Sequence, residues 1–409
     1  MRALLSTIGS RGDVQPLVAL ATELRALGQE VRMCAPPDFR EWIESLGIAV
    51  TPIGPEVRQT ATSRPSPSQA AAPPSPEQRR QVGDATVATQ FETITAAASG
   101  CDIVVAATAL QVAARSVAEK IGVPYVFVAY SPNVLPSTHH APSPLPPLPG
   151  QTATATSDNR VLWARDSERF NDLFAAPLNA HRASLGLAPV SDVRSHMLGD
   201  VPWLAADLVL APWPDPADHS VLQTGAWILA DERPLPRELE TFLANSEPPV
   251  FFGFGSMRTP DDLSQVMMNA ARAHGRRAVV SRGWAELTPA DNAPDCLSVG
   301  EVNFQALFTR VAAVVHHGGA GTTTIAALAG APQVVVPQIY DQHYWAQRIH
   351  DLGIGFAHAP GAPAVASLTA ALEYALKPDV AARARSIAAA MRRDGAKIAA
   401  RRLIGTNLS

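Results

Sequence analysis

Three short stretches of this chain carry residue types that do chemistry together. The first is His316-His317-Gly318-Gly319-Ala320-Gly321-Thr322-Thr323. Its small residues let the backbone approach a ligand, and the helical pattern that follows would aim free N–H groups at that ligand. With Thr322 and Thr323 as hydroxyl donors and no carboxylate in the stretch, it suits a pyrophosphate. A tight turn using glycine for packing alone would look the same, and His317 alone reads equally as a core histidine. No His or Cys spacing supports a metal. The second stretch, Pro337-Gln338-Ile339-Tyr340-Asp341-Gln342, sets a carboxylate beside an amide. Asp341 accepts from hydroxyls and Gln342 both donates and accepts, which suits a polyhydroxylated ligand; helix capping by Asp341 is the plainer reading.

The third stretch is Gly9-Ser10-Arg11-Gly12-Asp13. Asp13 reads either as a cap for a helix beginning at Val14 or as a general base. So close to a helix N-terminus its pKa is expected to be low, because the dipole favours the carboxylate. That makes it a weak base which takes its proton late. Gly253-x-Gly255 and Gly9-x-x-Gly12 both fall short of the dinucleotide fingerprint, which disfavours a nicotinamide site. The chain contains no Asp-x-Asp, so a divalent ion bridging a diphosphate is not expected. Helix N-termini, His317 and Arg11 would supply the positive field.

Such residues need elements to hold them at one edge. Ala3 to Ile8, Glu30 to Cys34, Ile48 to Ile53, Cys101 to Ala107 and Val123 to Ala129 are strand-like apolar runs. Helical patterns over Val14 to Leu27, Asp38 to Leu46 and Leu110 to Ile121 separate them, which predicts parallel βαβ units in a doubly wound sheet. A second α/β rhythm starts at Val250, with strands at Val250 to Phe254, Ala278 to Ser281, Cys296 to Val299, Val311 to Val315 and Gln333 to Val336. Helical patterns follow over Thr322 to Ala329 and Gln342 to Leu352, and two more lie in the tail at 367–404. Between the halves, 211–249 is broken by proline and reads as a linker. Residues 52–76 and 132–149 hold seven prolines each. They predict long surface loops following strands, bordering a ligand crevice.

Composition narrows the classes. With 409 residues, 47% hydrophobic and 17% charged, the chain can bury two cores. A net charge of -4 gives no pull toward nucleic acid or an anionic membrane. Lys120, Lys377 and Lys397 are the only lysines and none sits in a glycine-rich loop, which excludes a P-loop NTPase. The charge-free run Val311 to Tyr340 is interrupted by His, Gly, Gln and Pro, so it reads as buried core rather than a span. Three scattered cysteines and an opening strand without a signal-peptide pattern lead to the expectation of a reducing cytoplasm.

Taken in order, several motifs carry a resemblance over the whole chain. They are Gly-Ser-Arg-Gly-Asp at 9–13, Gln-Thr-Gly-Ala-Trp-Ile-Leu at 223–229 and Asp-Glu-Arg-Pro-Leu at 231–235. Phe-Gly-Ser-Met at 254–257, Ser-Arg-Gly-Trp at 281–284 and Val-Gly-Glu-Val-Asn at 299–303 follow, then the two C-terminal stretches above. The chain resembles family 1 glycosyltransferases of the GT-B fold, in particular the actinobacterial enzymes that glycosylate vancomycin- and teicoplanin-type glycopeptides. The resemblance implies two Rossmann-like α/β domains facing across a cleft. Residues 1–212 would bind the acceptor, 213–249 would link, and 250–409 would bind a nucleotide sugar, with the last helix crossing back.

The resemblance puts Asp13 in the general-base position with Ser10 beside it, and Arg11 and Gly12 near the diphosphate. Ser256, His317, Gly319, Gly321 and Thr322 would contact phosphate, Trp284 and Val302 would flank the base, and Asp341 and Gln342 would hold the sugar. Tyr130, Ser131 and Asn133 are the expected acceptor contacts. Many relatives carry histidine where this chain has Asp13; in the glycopeptide subgroup aspartate is usual. The implied reaction is inverting and metal-independent, without a cofactor. It moves a sugar from UDP-glucose, or secondarily a dTDP-deoxysugar, to a hydroxyl of a peptide aglycone. Competing readings are a non-hydrolysing sugar-nucleotide epimerase, a nicotinamide-dependent oxidoreductase and a non-enzymatic sugar-nucleotide binder.

Overall fold

Strands that are buried on both faces must be covered by helices on both sides, and that arrangement holds throughout this chain. The computed structural model describes all residues except 59–74, 109, 145–156, 216, 245–246, 258–259, 261, 285, 292 and 407–409. Most of the expected loop at 52–76 and the end of that at 132–149 thus lie outside the described residues. The first sheet comprises β1 (Arg2–Thr7), β2 (Glu30–Ala35), β3 (Ala49–Pro52), β4 (Ile103–Ala107), β5 (Tyr125–Ala129), β6 (Trp203–Leu204) and β7 (Leu222–Gln223). The second comprises β8 (Val250–Gly253), β9 (Ala278–Ser281), β10 (Cys296–Val299), β11 (Ala313–His316), β12 (Gln333–Val335) and β13 (Gly355–Ala357).

All pairings are parallel. The orders are β3-β2-β1-β4-β5-β6-β7 and β10-β9-β8-β11-β12-β13. Registers such as Leu4↔Val104 and Phe252↔Val315 keep apolar side chains in layers. In each sheet the order reverses beside its first strand, between β1 and β4 and between β8 and β11. A crevice opens at the carboxyl ends of strands at such a switch point. The loops and helix starts that follow β1, β8 and β11 carry Ser10–Asp13, Gly255–Ser256 and His317–Thr322. Topology alone therefore gathers most of the chemistry-bearing residues.

Two long helices were not legible in the sequence pattern. Pro76–Ala97 starts on a capping box, with the Ser75 N–H donating to Gln78 Oε1 at 2.8 Å and the Gln78 N–H to Ser75 Oγ at 3.2 Å. It buries Val87, Phe91 and Ile94. It crosses Asn159–Ser184 at Gly83, where a Cβ would stand 2.4 Å from the Leu173 carbonyl oxygen. The helix after β1 runs Arg11–Ala26, so it starts three residues before Val14 and takes Arg11, Gly12 and Asp13 into its first turn. Among the described residues no helix is long and apolar enough to cross a membrane.

The stretch 213–249 does more than link. Leu222–Gln223 completes the first sheet, while Leu235, Leu239 and Leu243, the last two on the helix Arg237–Ala244, pack with Phe251, Val279 and Phe308 of the second. Asn303 Nδ2 donates to the Asp231 and Arg233 carbonyls at 2.7 and 2.9 Å, which moors the crossing segment. The tail holds three helices rather than two: Val365–Ala375, Pro378–Ala390 and Gly395–Thr406. The last returns to the first domain, where Ala396, Ala399, Ala400 and Leu403 share a core with Leu17, Val18 and Leu24. The buried Asp207 carboxylate accepts from the Arg392 N–H at 3.0 Å as the chain passes.

This return depends on backbone-to-backbone contact. A Cβ on Gly395 would stand 2.4 Å from the Ala226 carbonyl oxygen and from the Gly225 carbonyl carbon. Gly395→Ala is expected to cost about 1–3 kcal/mol through overpacking and to lower the thermal midpoint. An unchanged midpoint in differential scanning calorimetry would show that the two backbones part without cost.

Candidate active site

The first-domain wall of the cleft is the N-terminus of the helix Arg11–Ala26. Asp13 is its third residue and reaches back to the cap. The Ser10 N–H donates to Asp13 Oδ2 at 2.7 Å and the Ser10 hydroxyl to the same oxygen at 3.2 Å. The other carboxylate oxygen makes no hydrogen bond to another described residue. Gly9 makes this possible: its φ is +132° and a Cβ would lie 2.2 Å from Asp13 Oδ2. Thr7 Oγ1 and Tyr130 Oη both donate to the Asp13 carbonyl, at 3.3 and 3.1 Å, so the backbone is braced as well. Capping and cleft-facing roles thus coexist. The expected low pKa is corrected. Loss of water around the carboxyl raises it to about 6, outweighing the Ser10 hydrogen bonds, and the nearby charge of Asp341 pushes it the same way.

The second-domain wall is built on a buried polar chain. The Gly318 N–H donates to His316 Nδ1 at 3.1 Å, so His316 carries its proton on Nε2, which donates to Gln333 Oε1 at 2.9 Å. Gln333 Nε2 continues to the Thr323 carbonyl at 3.3 Å. His316 is therefore a framework residue that fixes the glycine turn. Gly318 adopts φ +93°, and a Cβ there would meet Val335 Cγ1 at 2.7 Å. Beyond it the helix Ala320–Leu328 starts at Gly319 with no side-chain cap, leaving first-turn N–H groups for a ligand. Thr323 is buried and its hydroxyl donates back to the Gly319 carbonyl at 3.0 Å. Of the two threonines, only Thr322 stays partly exposed.

His317 lies between two glycines. A Cβ on Gly255 would stand 3.0 Å from its ring, and one on Gly319 2.7 Å from its Nε2. Its Nδ1 is buried and makes no well-formed hydrogen bond among the described residues, although the Gly253 backbone lies close enough to work against the effect of burial. Burial holds its pKa down at about 4. It is therefore a neutral donor near pH 7, and the expected positive field from His317 is withdrawn. Ser256, in the turn after β8, is partly exposed beside it.

In the loop after β12, Gln342 Oε1 accepts from the Gln338 and Ile339 N–H groups at 2.8 and 3.1 Å, and its amide faces Met257 Sδ at 3.4 Å. Most of its capacity is thus spent on holding the loop, which narrows the expected sugar-binding role to the amide nitrogen. Asp341 Oδ2 accepts from Trp345 Nε1 at 3.0 Å. Burial raises the Asp341 carboxyl to about 6 despite that bond. Asp13 and Asp341, on opposite domains, are near enough for the charge of Asp341 to raise the Asp13 pKa.

Arg11 is corrected. Its guanidinium stacks 3.8 Å from the Trp42 ring centroid, donates to Gln15, and pairs with Glu301 of the second domain at 3.3 Å, so its charge is already engaged. Gly12 is exposed in the same helical turn. A second pair, Arg58–Glu286 at 2.6 Å, also spans the domains. Between them the partly buried Trp284 packs against the first-domain core. The Val302 side chain is in the second core, so only its backbone is open to a ligand. Ser131 and Asn133 are 1% and 5% exposed. They bond to each other at 2.6 Å and onward to Ser143 at 3.0 Å. With the Tyr130 hydroxyl bound to Asp13, all three expected acceptor contacts serve as scaffold. Among the described residues no group of three His, Cys, Asp or Glu could hold a metal.

Sequence reasoning missed Gln333, Trp345 and Glu301 as partners. Trp345 follows Asp341 by one helical turn, a signal that was available; the other two depend on tertiary neighbours.

Comparison with known proteins matches residues 3–139 to the glycosyltransferase family 28 N-terminal domain. Residues 266–398 match the erythromycin biosynthesis protein CIII-like C-terminal domain. The chain is 48% identical over 406 residues to the vancomycin aglycone glucosyltransferase of Amycolatopsis orientalis, covering 99% of this chain and 97% of that protein. It is 44% identical over 395 residues to the dTDP-epi-vancosaminyltransferase of the same organism, covering 95% and 93%. The solved glycotransferase of kitacinnamycin has the same fold, with a TM-score of 0.74 over 99% of this chain and 98% of that one at 19% identity.

The buried chain through His316 gives a direct test of the turn. Gln333→Leu removes the acceptor of a fully buried imidazole N–H and is expected to cost about 1–3 kcal/mol. Urea denaturation would register this as a lower midpoint with an unchanged slope. A wild-type midpoint would mean the turn holds without it.

Proposed function

The chain belongs to the GT-B glycosyltransferase family that contains the vancomycin aglycone glucosyltransferase, and from that premise we propose an inverting transfer of a hexosyl group from a nucleotide-diphosphate sugar to a hydroxyl of a glycopeptide aglycone. The observation carrying this reading is the pairing across one cleft of a carboxylate with a free oxygen, Asp13, and an uncapped glycine-rich helix N-terminus free of acidic groups. UDP-glucose is the favoured donor, since the more similar of the two compared relatives is named a glucosyltransferase. A dTDP-deoxysugar is second. Membership of this family leaves the epimerase, oxidoreductase and binding-protein readings without support.

In this mechanism the acceptor enters from the first-domain side, above Asp13. Its hydroxyl is the phenol of a hydroxyphenylglycine or the alcohol of a β-hydroxytyrosine. Asp13 accepts the hydroxyl proton as the oxygen attacks the anomeric carbon, opposite the departing diphosphate. A carboxyl poised near 6 is a better base than one near 4 and is still ionised at pH 7. The diphosphate leaves onto the N–H groups of the helix Ala320–Leu328, with Ser256, Thr322 and the neutral His317 as further donors. No divalent ion takes part. Asp341 accepts from sugar hydroxyls, aided by the Gln342 amide. Trp284 and the Val302 backbone flank the base. Incubating the protein with UDP-glucose or a dTDP-deoxysugar and a heptapeptide aglycone, and weighing the products, tests the reading. Release of nucleotide without aglycone glycosylation would sink it.

Asp13→Asn is expected to lower kcat by about 10²–10⁴-fold while leaving nucleotide affinity intact. These assays are run with EDTA, in which wild-type turnover persists. The wild-type rate should rise as pH passes through about 6. The folded pKa lies above the unfolded 3.8, so ionised Asp13 disfavours folding above about pH 6, and that penalty fades as pH falls toward the unfolded value. Asp13→Asn should therefore melt higher than wild type at pH 8 and equally at pH 3. Near-wild-type kcat at saturating aglycone would remove Asp13 as the base.

His317→Ala is expected to raise the UDP dissociation constant about tenfold, the worth of one hydrogen bond to a charged group. Calorimetry showing an unchanged constant in a folded variant would make His317 a packing residue only.

A further inference from the structure

Three non-glycine residues among those described have positive φ: Thr108 at 81°, Glu286 at 51° and Tyr340 at 54°. Such backbone is strained for residues with a Cβ and persists only where its surroundings impose it. All three sit on loops that follow the carboxyl ends of strands, after β4, β9 and β12, at the cleft. Two of them use their side chains in the fold. The Thr108 hydroxyl donates to the Ile8 carbonyl at 3.2 Å. The Glu286 carboxylate accepts from Arg58 across the domains at 2.6 Å. Tyr340 differs: its side chain makes no hydrogen bond or ring contact among the described residues, and it is 50% exposed.

The loop that imposes this conformation is fixed from both sides. Gln342 Oε1 holds the N–H groups of Gln338 and Ile339, and Trp345 holds Asp341. The loop has two faces. Asp341 and Gln342 are turned inward, while Ile339 and Tyr340 are exposed. The inward face is the one assigned above to the donor sugar. The outward face presents an aromatic ring to solvent, one residue before Asp341. In the first domain, beyond the end of β4, Leu110 is also exposed.

We propose that Tyr340 is a specificity-determining residue for the acceptor, its ring stacking on an aromatic side chain of the peptide while Asp341 serves the donor sugar. The proposal rests on the aromatic-peptide reading of the acceptor given above. A rigid ring placed by a constrained backbone offers contact area at little entropic cost.

Tyr340→Gly tests this cleanly, because glycine adopts the same φ without strain. The variant should melt at the wild-type temperature or about 1–3 °C above it. It should bind UDP or dTDP within about twofold of wild type by calorimetry, while its kcat/KM for the heptapeptide aglycone falls about tenfold through a higher acceptor KM. Tyr340→Phe keeps the ring and should stay within about threefold of wild type, because only the hydroxyl is lost. An acceptor kcat/KM unchanged in Tyr340→Gly would overturn the proposal. So would a loss appearing in the donor KM, which would give the ring to the sugar, or a lowered melting temperature, which would make it structural. Failure of the wild type itself to glycosylate any aromatic peptide aglycone is a separate result, and it overturns both this inference and the reading beneath it.

Discussion

Removal of water from the space between the two sheets governs the polar groups that meet there. Asp13 and Asp341 are raised toward the protonated form, His316 and His317 are lowered toward the neutral form, and in each case burial is the leading cause. A glycine turn whose two histidines are neutral near pH 7 holds no cation of its own. It relies on fixed dipoles, chiefly the helix Ala320–Leu328, to meet a negative ligand. Dipoles already in place need not reorganise when charge develops on a leaving group. The raised proton affinity of Asp13 follows from the same desolvation.

Close backbone approach is the second means of construction. Gly9 admits the Asp13 carboxylate, Gly318 turns the chain over Val335, Gly255 and Gly319 bracket His317, and Gly395 lies on Gly225. Each position excludes a Cβ by distance, and several also require a left-handed backbone. Two ion pairs, Arg11–Glu301 and Arg58–Glu286, join the domains nearer solvent. Exposed pairs of this kind contribute little individually. The apolar contacts of Trp284 and the returning C-terminal helix hold the halves together more firmly.

Much of this was legible in the residues themselves. Alternating apolar runs and amphipathic helices gave the central strands of both sheets, because a buried parallel strand leaves few choices, but not the short edge strands Trp203–Leu204, Leu222–Gln223 and Gly355–Ala357. The glycine turn at 318–321 and the Asp13 and Asp341 positions were visible because each follows a strand. What escaped was tertiary. The helix Pro76–Ala97 has a thin apolar stripe and follows a proline-rich run, so neither its period nor its start stands out. Arg11 and Ser131 looked available because sequence does not display Trp42, Glu301 or Asn133 beside them. The pKa of Asp13 was misjudged because the helix dipole can be read from sequence, whereas the loss of water cannot.

The helix Gly395–Thr406 completes the core of a sheet whose first strand is Arg2–Thr7. On the ribosome, that sheet emerges long before the segment that covers it. The first half of the chain must wait, with Leu17, Val18 and Leu24 exposed to solvent or chaperone, until the second half has been made. The same geometry sets a rule for chimeras. Exchanging amino-terminal halves between relatives at a single junction would separate Leu17 and its neighbours from the helix evolved to cover them. A faithful exchange needs a second junction near Asp394, so that residues 395–406 travel with the amino-terminal sheet.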